Sequence, residues 1–323
     1  MIKSNLHTVK ELENGLRIDR WFQRYFPNIT HGRLQKLLRT GQVRVDGKRM
    51  RANDRLQYGQ IVRLPPPHVL EALEQPITVL KFIPNPQDEA LIRSLIIYQD
   101  DDLIAINKPS GLAVQGGTHV KKHIDGMLPY LMSSDGQIPL LVHRLDQSTS
   151  GVLLLAKHPY AANWLAQGFQ THTTKKIYWA VVVGCPQPTS GRIDLPLRKV
   201  RFGAIEKVIV DAEEGQAALT DYEVIENRAN QISWLELRPT TGRTHQLRVH
   251  CLSLGTPILG DGKYGGNEAF PNDYALARNL PMHLHAREIK ITKLTGETLT
   301  ITAPLPAELQ QTWENFTFFK QTA

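Results

Sequence analysis

Two hydrophobic periods divide the chain. Up to residue 64 the spacing is mostly helical. In LRIDRWFQRYF (16–26), Leu16, Ile18, Trp21, Phe22, Tyr25 and Phe26 recur at intervals that put them on one helix face. HGRLQKLLRTG (31–41) repeats the pattern, with Thr30 placed to cap it and Gly41 to stop it. QVRVDGKRM (42–50) then alternates as a strand does and turns at Asp46-Gly47, and DRLQYGQIVRLP (54–65) closes with another strand. A small helix–helix–hairpin module is predicted over 1–64.

The pattern then breaks. PPPHVLEALEQP (65–76) and PNPQDEA (84–90) are rich in Pro and acid, which predicts an extended spacer over 65–93. ITVLKFI (77–83) between them reads as a short strand or as a segment docked on the second domain.

From about residue 94 the chain becomes rich in strands. SLIIYQ and LIAINK flank DDD as a hairpin, VLLLAK is a buried strand and KIYWAVVVG another. LTDYEVIEN pairs with QISWLELRP, and REIKIT with TLTITAP. Helices are predicted at HIDGMLPYLM, HPYAANWLAQGFQ and RTHQLRVHCLSLG, the last with Leu247, Cys251 and Leu254 on one face. Strands outnumber helices and mostly adjoin in sequence, so the class is α+β with a mixed, largely antiparallel sheet.

Composition narrows the class. The 323 residues suffice for one large domain and a small one. The longest apolar runs are short, which excludes a transmembrane helix, and the N-terminus lacks the apolar core of a secretory signal. Cys185 and Cys251 stand far apart, with no partners at metal or disulfide spacing. The expected location is the cytoplasm. The net charge of +7 is uneven: residues 1–64 hold fourteen Lys and Arg against five Asp and Glu, and the rest 24 against 26. The excess sits on the small module, the footprint of a polyanion partner or of a solvated surface.

Three local patterns have better bland readings. GDGKYG (260–265) matches GxGxxG but lacks the flanking strand, helix and acid of a dinucleotide site, so it reads as a turn. His119, His123 and Asp125 do not make a convincing ligand set, so no metal is expected. His143, Asp146 and Ser148 are too close in sequence for a hydrolytic triad and lack the nucleophile elbow. Four separated segments remain: KPSGLAVQGG (108–117), a Gly-rich turn suited to close approach of a ligand; HRLDQSTSG (143–151); KKIYWAVV (175–182); and TTGRTHQLRVH (240–250). Taken singly, Asp146 would be a loop or cap residue, Tyr178 core packing and Arg248 a surface charge.

Together these segments resemble the RluA-type pseudouridine synthases, from about Leu95 to Pro304, with MHLHA (282–286) as a further match. GRLQKLLRTGQVRVDG and YGQIVRLP in the small module resemble the S4-like RNA-binding domain. The pair is similar to the bacterial subgroup that acts on large-subunit ribosomal RNA. The resemblance implies a pseudouridine synthase fold over 94–310, a small α/β S4-like domain over 1–64 and a tail over 311–323. It implies Asp146 as catalytic aspartate, Arg144 as the residue replacing an extruded nucleotide, Tyr178 against the target base, Arg248 as partner of the aspartate and Leu284 as a base contact. In the small module Arg33, Lys36, Arg39, Arg44, Lys48, Arg49 and Arg51 would meet RNA phosphates. No cofactor, no metal and no membrane is expected, the partner is ribosomal RNA, and the chain reads as a monomer. A transfer RNA substrate, or a silent rRNA-binding assembly factor, are the competing readings.

Overall fold

The structure is a computed structural model that describes residues 5–26, 29, 31–66, 69, 85–117, 120, 122–203, 205–270, 281–293 and 295–318. The expected cap Thr30, the segment 77–83 and His119 lie outside the described residues. The chain divides into two compact units, Met1–Pro84 and Asn85–Ala323.

In the first unit, β1 (Leu6–Thr8), α1 (Ile18–Tyr25), α2 (His31–Thr40), β2 (Arg44–Val45) and β3 (Ile61–Arg63) surround one core. The strands are antiparallel in the order β1-β3-β2. Ile18, Trp21, Phe22 and Phe26 from the first predicted helix meet Leu34, Leu37 and Leu38 from the second, all buried. Asp46 and Gly47 both take positive φ (48° and 76°), and Val45 and Lys48 exchange backbone hydrogen bonds across them, as a tight hairpin turn requires. Glu13 is buried beneath this layer. Burial alone would raise its carboxyl, but hydrogen bonds from the Tyr25 hydroxyl, the Lys10 N–H and His7 hold it down at about 2.

The second unit begins earlier than the expected spacer would end. α3 (Pro86–Ser94) is capped by the Asn85 side chain on Gln87 N–H, and its Ile92 is fully buried. Pro86 at the helix start suits helix geometry, so its presence marks a boundary and not a spacer. The unit then builds β4 (Ile96–Gln99), β5 (Leu103–Lys108), α4 (Ile124–Met127), β6 (Leu140–Leu141), β7 (Ser150–Ala156), α5 (Pro159–Gln170), β8 (Lys175–Val183), β9 (Ser190–Asp194), β10 (Leu197–Phe202), β11 (Ile205–Val210), β12 (Leu219–Arg228), β13 (Ile232–Pro239), α6 (Gln246–Ser253), β14 (Leu284–Thr292), β15 (Thr298–Thr302) and α7 (Ala307–Asn315).

One ten-stranded sheet runs β4-β5-β7-β14-β8-β13-β12-β9, with β15 on β14 and β6 on β7. Every pairing is antiparallel except β7–β14, where His285 meets Ser150 and Ala286 meets Gly151. The class is α+β with a mixed, largely antiparallel sheet. β10 and β11 form a separate hairpin from the segment 197–210.

Four expectations change. HIDGMLPYLM yields only the one-turn α4 followed by a 3-10 turn over Leu128–Leu131, because Pro129 removes a backbone donor. MHLHA and REIKIT contribute to one strand, β14, with a register shift between Ala286 and Glu288. The stretch 311–318 is no tail: Trp313 and Phe318 are buried against Trp234 and Val181. α6 is buried nearly all round, Gln246 through Cys251, so its apolar stripe is only part of its packing.

The β7–β14 seam is unusually close. Gly151 has φ +111°, and a Cβ there would lie 2.2 Å from the Ala286 carbonyl oxygen and 2.6 Å from its nitrogen. Gly151→Ala should therefore lower the thermal midpoint by at least about 5 °C, since neither backbone can yield without parting the strands. A midpoint within 1 °C of the parent, on the order of measurement error, would show that the seam is slack.

Buried histidines set the acid stability. His285 is fully buried between Ser150 Oγ on Nδ1 (2.9 Å) and the Ala303 carbonyl on Nε2 (3.2 Å). Burial pushes His283 and His285 down to about 4 and His143 to about 3. Unfolded histidines bind protons near pH 6.5. Between that pH and about 4 the unfolded chain takes up protons that the folded chain refuses, so stability falls with pH, by roughly 1 kcal/mol per histidine per pH unit. Melting midpoints should drop steeply from pH 6.5 to 4.5. His285→Gln should start lower and fall less, whereas equal slopes would contradict this account.

Candidate active site

The site forms where β7, β14 and β8 lie side by side and α6 crosses their ends. Asp146 sits in the loop before β7, Tyr178 on β8, Leu284 on β14 and Arg248 on α6, and all four line one open pocket. Arg144, Lys176, Gln246 and His245 also reach it. The sequence expectations are thus brought together from four separate segments of the second unit.

The Asp146 loop is braced from three directions. Its carbonyl accepts from Thr149 N–H (3.1 Å) and closes the turn. Ser110 donates to the Ser148 carbonyl (2.9 Å), and Gln147 exchanges hydrogen bonds with Gly111. Beneath them Lys108, fully buried, donates to the carbonyls of Pro109, Leu112 and Gln147 at 2.8–3.0 Å. Burial pulls this lysine down to about 7, while the Asp146 charge and three waiting carbonyls favour its ammonium form. The start of the KPSGLAVQGG turn therefore supports the Asp146 loop. His143 is occupied too: its Nε2 accepts from Leu154 N–H (2.8 Å) in β7, and its ring lies against Phe169. A His–Asp–Ser relay is thereby ruled out.

Arg248 has a closer partner than the expected one. Its Nε and Nη2 form a bidentate pair with Asp261 (2.8 and 2.6 Å), both side chains being buried. Its remaining nitrogen, Nη1, stands 4.0 Å from Asp146 Oδ2. Asp261 comes from GDGKYG. The reading of that segment as a turn was right about shape and silent about its acid: a nucleotide fingerprint would not use this residue, and no spacing rule links it to Arg248. Tyr264 of the same turn lies under the guanidinium, 4.8 Å from ring centroid to Arg248 Cζ. Burial works against the charge on Arg248, but the Asp261 hydrogen bonds outweigh it and raise its affinity for the proton.

His245, for which the sequence offered no role, brings its Nε2 to 3.8 Å from Asp146 Oδ2, nearer than Arg248 Nη1. Its Nδ1 lies 2.7 Å from the Tyr264 hydroxyl. Burial lowers its proton affinity against the pull of Asp146. Tyr178 is pushed well up by burial and by the Asp146 charge, so its phenol keeps its proton in the resting site. Lys176, held on the Thr241 carbonyl (3.3 Å), is drawn down to about 8 by burial. Arg144 is exposed at the pocket edge and Leu284 is buried in its wall.

In the first unit, Arg33, Lys36, Arg39, Lys48, Arg49 and Arg51 are exposed. Arg44 differs: it is half-buried and donates to the carbonyls of Gly41 and Gly47, so it serves the hairpin as well as the surface. Lys36, Arg39 and Arg51 rim a shallow hollow floored by Met50 and Ala52. No group of three potential metal ligands occurs among the described residues, nor does any helix there long and apolar enough to cross a membrane.

The chain has well-marked relatives. Residues 102–253, which hold Asp146, Tyr178 and Arg248, match the family model described as RNA pseudouridylate synthase. The protein of Rickettsia conorii named ribosomal large subunit pseudouridine synthase C is 35% identical over 291 residues, covering 90% of this chain and 94% of its own. Its namesake in Pasteurella multocida is 34% identical, with 94% and 91% covered. The solved human RNA pseudouridylate synthase domain containing 4 superposes with a TM-score of 0.61 at 31% identity, over 72% of this chain and 97% of that one. Relatives of this identity, spanning nine-tenths of both sequences, establish that the chain belongs to the RluA-type pseudouridine synthases.

Proposed function

We propose that this enzyme converts uridines of large-subunit (23S) ribosomal RNA to pseudouridine, with Asp146 acting on ribose C1′ of an extruded nucleotide. The observation that carries the reading is the Asp146 carboxylate in an open pocket shared with Tyr178 and Leu284, with the Arg248 and His245 nitrogens facing one of its oxygens. The curated relatives named for the large ribosomal subunit support the choice of RNA. The reaction breaks N1–C1′, joins C5 to C1′, gives N1 a proton and removes one from C5. It is an isomerisation, so no electron carrier or group donor enters its balance.

Each wall has a task. The target nucleotide is unreachable in a stacked helix and must be turned out, at a cost of a few kcal/mol. Arg144 stands exposed two residues before Asp146, where a guanidinium plane can stack in the vacated place. Leu284 and the Tyr178 ring present apolar faces to the base. The Tyr178 phenol, protonated at rest, is a donor to the uracil before it can accept anything from C5. Arg248 offsets the cost of holding Asp146 ionised in a half-closed pocket. The exposed bases of the first unit add phosphate contacts that carry affinity and little sequence choice. The setting is the cytoplasm, and the chain acts as a monomer.

Asp146→Ala should cut pseudouridine formation on rRNA by more than about 10³-fold, with RNA affinity retained. Turnover near the parent rate would sink the role of Asp146. Mapping pseudouridines in cellular RNA with and without the gene tests the substrate, and losses confined to transfer RNA would replace rRNA with the competing choice. Replacing Lys36, Arg39 and Arg51 together by Ala should weaken rRNA binding and reduce the slope of log K against log salt by roughly two to three. An unaltered slope would place the phosphate contacts elsewhere.

A further inference from the structure

We propose that His245 is a positioning residue for Asp146: the Tyr264 hydroxyl fixes its imidazole in the Nε2–H tautomer, which turns an N–H toward Asp146 Oδ2. This rests on the reading of Asp146 as the reacting carboxylate.

The hydrogen inventory around Tyr264 carries the inference. Val208 N–H, on the β11 strand of the separate hairpin, donates to the Tyr264 hydroxyl oxygen (3.1 Å). That occupies an acceptor site of the phenol. Its single hydrogen then needs an acceptor, and among the described residues that acceptor is His245 Nδ1 at 2.7 Å. A neutral imidazole carries one N–H. With Nδ1 accepting, the hydrogen is on Nε2, the nitrogen 3.8 Å from Asp146 Oδ2. The other tautomer would aim a bare lone pair at a carboxylate and leave the phenol hydrogen without an acceptor among the described residues. Arg248 and Lys263 oppose a doubly protonated ring, whereas Asp146 and Asp261 favour one; burial tips the balance to neutral.

The backbone supports the same conclusion. His245 takes φ +53° and ψ 20° as the residue entering α6. This left-handed conformation is strained for a non-glycine residue. Glycine would occupy it without strain but could not reach Asp146. The ring also packs edge-on against Tyr264, which is itself held over Arg248. The separation of 3.8 Å is beyond hydrogen-bond reach, and such contacts tighten when substrate fills a site. Both gripping nitrogens face Oδ2, so Oδ1 is left to meet the ribose. The chain Val208–Tyr264–His245–Asp146 also ties the β10–β11 hairpin to the carboxylate, which gives the segment 197–210 a purpose in the site.

Two measurements on the full-length protein test this. In two-bond proton–nitrogen spectra of 15N-histidine-labelled enzyme, His245 should show a protonated Nε2 and an accepting Nδ1 at neutral pH; Tyr264→Phe should move its signals toward a tautomer mixture. A protonated Nδ1 would overturn the proposal without any reference to activity. In single-turnover assays on transcribed large-subunit rRNA, His245→Ala should slow the reaction on the order of tenfold to a hundredfold with RNA affinity unchanged. His245→Gln, whose amide N–H can take the place of Nε2–H, should recover most of that loss. Full rate in His245→Ala, or equal losses in the Ala and Gln variants, would overturn it. Activity retained in Asp146→Ala would instead sink the underlying reading, leaving the tautomer assignment standing.

Discussion

The close contact of β7 with β14 is the constraint on which the active site depends. These are the two strands of the sheet that run parallel, and they touch over only two residue pairs. Gly151 permits it, because its missing side chain lets the Ala286 backbone come within what would be clashing distance of a Cβ. The geometry of the pocket derives from that approach. Asp146 is carried to the seam by the turn entering β7, Leu284 by the start of β14, and Tyr178 by β8, where it pairs with Ala286. His285 and Ser150 lock the seam from inside with a buried hydrogen bond.

Onto this frame the protein adds charge in a particular order. Arg248 is buried, and a buried cation without a partner is costly. Asp261 satisfies it bidentately, which leaves the arginine oriented but electrically balanced. Asp146 therefore faces a guanidinium already committed elsewhere, at the edge of ion-pair distance. Asp146 is thus left without a close ion pair to this arginine.

Most strands were legible because burial selects apolar side chains: β5, β7 and most of β13 are buried on both faces and read as apolar runs. The helical spacing of Trp21, Phe22 and Phe26 revealed the first-unit core for the same reason. Asp146, Tyr178, Arg248 and Leu284 were reachable only through family likeness, since each alone looks like an ordinary loop, core or surface residue. The pocket now places them together, and their roles stand as proposals. Other features left no local signal. The parallel β7–β14 pairing joins segments more than 130 residues apart, and no local pattern encodes such a meeting. Asp261 and Tyr264 were masked by a turn whose glycines drew attention to the wrong chemistry. α3 was masked by its own Pro and acids, which suit a helix N-terminus as well as they suit a spacer. His143, a member of the rejected hydrolytic set, and Lys108, which carried no chemical reading, are both used by the backbone.

Lys108 carries one more consequence. Three carbonyls converge on its nitrogen, one for each hydrogen of an ammonium group. Remove one proton and the stoichiometry fails: two hydrogens remain for three acceptors in a place without solvent, and one carbonyl goes unmatched. The rigidity of the Asp146 loop is in this sense a titratable quantity, set by the protonation of one amine that never meets the substrate.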